Sequence, residues 1–118
     1  MKITFEIPVL PKTPNSIGKA SIWASHAERH KWRKIILGEF YEVGPKVPYK
    51  KSILTIIRCS SHEPDVDNLY SSNKFVIDGL KYAGFIIDDK PSNILLICKW
   101  EKAKRGEGKI IITLESIN

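Results

Sequence analysis

Residues 2 to 8, KITFEIP, alternate polar and apolar side chains, the period of a strand with one face buried. The following stretch, LPKTPNSIGKAS, reads as a loop because Pro11, Pro14, Asn15 and Gly18 break any regular pattern. From about Ser21 to Phe40, the apolar residues Trp32, Ile35, Ile36 and Phe40 recur at three- and four-residue spacing. His26, Arg29, His30, Arg33 and Lys34 fill the other faces, which predicts an amphipathic helix with a basic surface. Gly44, Pro45 and Pro48 make YEVGPKVPYK a second loop, and the β-branched run SILTIIRCS, residues 52 to 60, suits an interior strand. A second helix is expected from about Asn68 to Tyr82, closed by Ala83 and Gly84. NILLICKWEKA and KIIITLES, split by the charged turn KRGEG, read as a β-hairpin. The order β-α-β-α-β-β predicts an α+β fold, a mixed sheet covered on one face by two helices.

Length and charge narrow the possibilities. A chain of 118 residues has room for one core, so residues 1–118 are expected to form a single domain. Lysine and arginine number 19 against 13 acids, a net charge of +6 that favours a polyanionic partner such as nucleic acid. No apolar run approaches the roughly 18 residues of a membrane span, and MKITFEIP lacks a signal-peptide pattern, so no membrane partner and a cytoplasmic location are expected. Cys59 and Cys98 lie in strand-like runs without CxxC spacing and are expected as buried free thiols.

Against this basic background, EPDVDNLY gathers two carboxylates one residue apart, and Asp88-Asp89 follows. If the chain leaves the strand extended through Pro64 to Asp67, Asp65 and Asp67 point the same way. Their repulsion would be relieved by a hard cation such as Mg²⁺. Capping of the next helix by Asp67 or Asn68 accounts for one of the two. A calcium EF-hand would need glycine at Tyr70 and glutamate at Val76, and neither is there. On a continuous helix Lys74 would lie within roughly 20° of Asp67 and about 10 Å further along the axis, leaning over the aspartates toward a bound phosphate or water. The same lysine could instead pair with Asp78 at i,i+4.

The run PDVDNLYSSNKFVIDGLKYAGFIIDDK resembles the RusA family of Holliday-junction resolvases. That family's pattern is Asp-x-Asp-Asn-Leu, a lysine, Asp-Ala-Leu, an Ala-Gly turn and an Asp-Asp pair. The match is close over residues 64 to 90, and LPKTPN and HAERHKWRK extend it loosely toward the N-terminus. Carried over residue by residue, the resemblance implies a Mg²⁺ site, with Mn²⁺ as a substitute, on Asp65, Asp67 and Asp89, with Asp88 as a further contributor. It implies Lys74 as the catalytic lysine. Lys74 comes three residues later than in the enterobacterial pattern, Gly79 replaces the usual alanine, and Glu63 with SSHE stands where many members carry arginine.

What the resemblance implies as activity is a structure-selective endodeoxyribonuclease, a homodimer that resolves four-way junctions by paired symmetric nicks. A junction has two-fold symmetry, and one site per small subunit calls for two subunits. The alternative is a non-catalytic branched-DNA binding module on the same fold. Arg29, His30, Arg33, Lys104 and Arg105 are the expected contacts to the DNA backbone. His26 and His30 lack the glutamate placement of HExxH and are read as part of that basic surface rather than a zinc site. Trp23, Trp32 and Trp100 are expected to pack in the core or an interface.

Overall fold

The computed structural model describes residues 1–12 and 22–117. The elements are β1 (Lys2–Ile7), α1 (Ile22–Glu39), β2 (Ser52–Ser60), α2 (Val66–Ser71), α3 (Lys74–Tyr82), β3 (Ile94–Lys102) and β4 (Lys109–Ser116), with a 3₁₀ turn at Tyr41–Val43. The loop residues 13 to 20 of LPKTPNSIGKAS and the predicted helix start at Ser21 lie outside the described residues.

The four strands form one mixed sheet in the order β1-β4-β2-β3. On one face Phe5, Ile7, Leu54, Ile56, Ile110, Ile112 and Leu114 meet Trp32 and Ile36 of α1 and Phe75, Val76 and Leu80 of α3 in a single core cluster. The opposite face carries Thr4, Thr55, Thr113 and the partly exposed Ile53, Ile57, Ile97 and Ile111. The expected α+β architecture, helices over one face of a mixed sheet, is therefore present.

The last two strands do not form the expected hairpin. β3 runs parallel to β2, β4 runs antiparallel to β2, and β2 lies between them. The reason lies in β2 itself, whose Leu54 and Ile56 are fully buried, so that it belongs in the middle of the sheet where both edges are paired. The connection 103–108 must then pass over the end of β2, spanning two strand spacings, roughly 10 Å. Ala103 N donates to Ser60 O at 3.0 Å, which fixes that crossing.

The single helix expected over 68–82 is two helices. Asp65, extended at φ −69° and ψ 167°, is the N-cap of α2, and its side chain accepts from Asn68 N at 2.8 Å. The cap is thus Asp65 rather than Asp67 or Asn68. At the other end Asn73 N bonds Tyr70 O at 3.2 Å, while Asn73 Nδ2 takes Leu69 O at 3.0 Å. The asparagine amide satisfies the carbonyl that its own backbone would have bonded in a continuous helix, and the axis breaks there. α3 ends as the sequence indicates. Gly84 takes φ +82°, Phe85 N donates to Leu80 O at 2.9 Å, and Gly84 N donates to Lys81 O at 3.1 Å.

α1 and α3 meet closely at Gly79, where a Cβ would stand 2.9 Å from Ile36 Cδ1 and 3.1 Å from Trp32 O. Trp32 is fully buried and donates from Nε1 to the buried Glu28 at 2.9 Å. Trp100 bonds Ser60 Oγ, and Trp23 is 79 % exposed, so of the expected core or interface packing the core is not its place. Cys59 and Cys98 are buried and free, as expected.

Candidate functional site

The helical break decides where the predicted site residues stand. Asp65 is extended and Asp67 lies in the first turn of α2, so the same-side geometry expected of an extended 64–67 segment does not arise. Asp65 spends both oxygens locally, Oδ1 on Asn68 N at 2.8 Å and Oδ2 on Asn68 Nδ2 at 3.3 Å. Asp67 supplies its backbone carbonyl to Ser71 Oγ at 2.6 Å, and its carboxylate forms no ion pair with the described residues.

The register that placed Lys74 over Asp67 presupposed one helix and does not hold across the turn at Ser72-Asn73. Lys74 instead opens α3 and lines a hollow of about 460 Å³ together with Asp89, Ile77, Pro91, Ile94, Leu95 and Leu96. The hollow sits against the outermost strand, β3. The floor is apolar, and Lys74 and Asp89 are its two charged residues. Lys74 makes no ion pair among the described residues, since Asp78 is held by Arg33 through Nε at 2.7 Å and Nη2 at 3.1 Å. An ammonium without a counter-ion beside a carboxylate in one concavity can meet a phosphate oxygen.

Asp88 is engaged differently. Its carboxylate accepts from Asp89 N at 2.8 Å and pairs with Lys81 at 3.1 Å and Lys90 at 3.8 Å. The backbone bond from Asp89 and the Lys81 ammonium hold its pKa down to about 2. These bonds fix the loop that presents Asp89. Among the described residues, no group of three or more His, Cys, Asp or Glu side chains stands close enough to hold a metal ion. The donors are hard carboxylate oxygens, the chemistry Mg²⁺ prefers, and Mg²⁺ usually takes one or two protein carboxylates and completes its shell with waters and substrate phosphates.

The basic face of α1 approaches Lys74 across the Phe75 ring. His26, Arg29, His30 and Arg33 line a second depression of about 320 Å³. The Arg29 guanidinium stands 5.4 Å from the centre of the Phe75 ring and the Lys74 ammonium 5.8 Å from the same ring. Phe75 therefore joins the cationic row of α1 to Lys74. Arg29 Nε is buried without a hydrogen-bond partner among the described residues, whereas Arg33 is committed to Asp78 and stacked 4.6 Å over Tyr82. Lys104 and Arg105 are exposed on the connection that crosses the end of β2, and form no ion pair among the described residues.

Two residues escaped the sequence reading. Asn73 is 1 % exposed, donates to Leu69 O and to Cys98 Sγ at 3.3 Å, and its Oδ1 has no partner among the described residues. The signal was a local-bonding residue in mid-helix. Arg58 is the lone charge in the apolar run of β2, and one of its donors reaches Pro11 O at 2.8 Å. No family model matches the chain, and no curated protein matches it.

Proposed function

We propose that this protein is a Mg²⁺-dependent, structure-selective endodeoxyribonuclease that cuts branched DNA such as a four-way junction, with Mn²⁺ as a substitute metal. In this reading it acts in the cytoplasm as a homodimer, placing paired symmetric nicks during DNA recombination and repair. The observation that carries the reading is Lys74, which forms no ion pair among the described residues, shares one hollow with Asp89 and continues the cationic row of α1 through Phe75. The resemblance of residues 64 to 90 to the RusA pattern supports the same assignment. None of the described helices is long and apolar enough to cross a membrane.

Phosphodiester hydrolysis needs an activated water, neutralisation of charge on the non-bridging oxygens and a proton for the leaving group. Asp65, Asp67 and Asp89 do not stand together as a three-carboxylate cage, so in this reading one or two of them would hold the metal, with waters and substrate phosphates completing its shell, and the metal when bound would supply water activation and part of that neutralisation. Lys74 meets the negative charge that grows on the phosphate, at the edge of an apolar hollow where such a contact is strengthened. Asp88, tied to Asp89 N and Lys81, positions the loop that carries Asp89. His26, Arg29 and His30 draw the DNA backbone along α1 toward Lys74.

The test is to incubate the purified protein with end-labelled four-way junction and with linear duplex of the same sequence, with and without Mg²⁺. Paired nicks at symmetric positions, confined to the junction and dependent on the metal, are expected. Tight junction binding without nicks would make the protein a branched-DNA binding module, and failure to prefer the junction would remove the reading altogether.

A further inference from the structure

Arg58 sits on the core-facing side of β2, in register with Trp100 of β3 and Ile110 of β4, two pairs short of the C-terminal end of the parallel β2–β3 pair. It is half-buried, and burial pushes its pKa down from the ordinary arginine value without bringing it near deprotonation. A charge taken out of water is normally paired. Among the described residues Arg58 is not: it donates from Nη1 to the backbone carbonyl of Pro11 at 2.8 Å and forms no ion pair. The buried acid on the neighbouring helix, Glu28, is taken by Trp32 Nε1 at 2.9 Å, Lys12 N at 3.4 Å and Lys31 at 3.9 Å. The stretch TPNSIGKAS that follows Lys12 contains no aspartate or glutamate. Among the described residues no carboxylate pairs with Arg58, so an anion from outside the chain can take that place.

The surroundings say which kind. The C-terminal end of β2 is crossed by the connection that carries Lys104 and Arg105, through Ala103 N to Ser60 O at 3.0 Å. The chain leaving that end runs through His62 directly to Asp65 and Asp67. In sheets with parallel strands, ligands gather beyond the carboxyl ends of those strands. A planar guanidinium presents a fork of N–H groups that fits a phosphodiester through two parallel bonds.

We infer that Arg58 is a phosphate-binding residue, receiving a backbone phosphate of the DNA strand that passes the C-terminal end of β2. The inference deepens the nuclease reading and rests on it for the identity of the polyanion. Arg58 has dual duty: one donor fastens the Pro11 carbonyl, and the others hold the phosphate.

The experiment measures affinity for junction and for linear duplex across a salt series, in the cleavage-blocked Asp67→Asn protein and in the same protein carrying Arg58→Gln or Arg58→Lys. Glutamine still donates to Pro11 O but carries no charge, so Arg58→Gln should weaken binding about tenfold and flatten the slope of log affinity against log salt by about 0.9. Arg58→Lys should restore the slope yet bind several-fold more weakly, because the fork is gone. Both should melt within a few degrees of the parent. Parental affinity and slope in Arg58→Gln would overturn the inference and leave Arg58 a clamp for Pro11. Should Arg58→Gln fail to fold, parental affinity in a well-folded Arg58→Lys overturns it instead. With the aspartate at position 67 intact, a protein that binds DNA without nicking it sinks the nuclease reading alone, and the Arg58 comparison still decides the phosphate contact. A protein that binds neither DNA overturns both.

Discussion

Arg33 on α1 holds Asp78 on α3 with two parallel bonds, Nε to Oδ2 at 2.7 Å and Nη2 to Oδ1 at 3.1 Å. Asp78 lies four residues after Lys74, where an ordinary surface pair would have formed along the helix. The bidentate partner from the neighbouring helix takes that carboxylate and leaves the Lys74 ammonium free. One ion pair thus ties α1 to α3 and, by the same act, sets the charge of the candidate site.

Lys74→Ala should leave folding untouched, because among the described residues the lysine makes no ion pair and borders the Phe75 ring. The melting temperature is expected to stay within a degree or two of the parent. If the ammonium stabilises the reacting phosphate, its loss costs on the order of 3 kcal/mol, roughly a hundredfold in single-turnover nicking rate. Cleavage at the parental rate would assign Lys74 to the helix surface.

Arg29 and Arg33 should separate. Arg33 is spent on Asp78 and Tyr82, so Arg33→Ala is expected to lower the melting temperature slightly and to change the salt slope of DNA binding little. Arg29 has no carboxylate partner among the described residues, and Arg29→Ala should flatten that slope by about 0.9. Equal slopes for parent and Arg29→Ala would make the α1 stripe a solvated face.

Asp65 carries two duties that substitution can split. Asparagine also caps helices, so Asp65→Asn should keep the bond to Asn68 N and nearly all stability while removing a carboxylate from the metal set. Asp65→Ala loses both, with about 1 kcal/mol of stability. Nicking by Asp65→Asn at the parental rate would remove Asp65 from the site.

The strands were legible because their period is local: residues 52 to 60 match β2 from first to last. The Gly84 cap was legible for the same reason, since only glycine sits easily at φ +82°. The partner of each strand was not. Placing β2 between β3 and β4 depends on burial of Leu54 and Ile56 from both sides, which KRGEG, a plausible hairpin tip, conceals. The site failed at one residue. Asn73 replaces a backbone bond with a side-chain bond to Leu69 O and turns the helix, so every inference that carried a register past position 72 lost its footing. The link between Arg29 and Lys74 through Phe75 joins residues on different helices and has no signature in spacing.

Asp88 gives the fold an acid-sensitive contact. The bond from Asp89 N and the Lys81 ammonium hold its pKa near about 2, below the ordinary 3.8. A carboxylate with a depressed folded pKa adds stability that is complete above the unfolded value and fades as pH falls from about 3.8 to about 2. Asp88→Asn should therefore melt below the parent at pH 7, and the gap should close as both are titrated to pH 2. A gap that persists at pH 2 would mean that shape rather than charge holds the loop.

Gly79 stands where the resembled pattern has alanine, and helix propensity alone predicts that Gly79→Ala stabilises α3 by about 1 kcal/mol. The contact between helices predicts the opposite. The new Cβ would sit 2.9 Å from Ile36 Cδ1 and, less forgivingly, 3.1 Å from the carbonyl oxygen of Trp32, which belongs to the backbone of α1. Ile36 can rotate, but Trp32 is fully buried and fixed through Nε1 to Glu28, so α1 and α3 must move apart. Overpacking of this kind costs about 1–3 kcal/mol and outweighs the propensity gain. Gly79→Ala should lower the denaturation midpoint, and Gly79→Ala with Ile36→Val should recover only the side-chain part of that loss, since valine relieves the methyl but not the carbonyl. A stabilised Gly79→Ala would show that the two helices have slack at their crossing, and that the glycine is tolerated there rather than required.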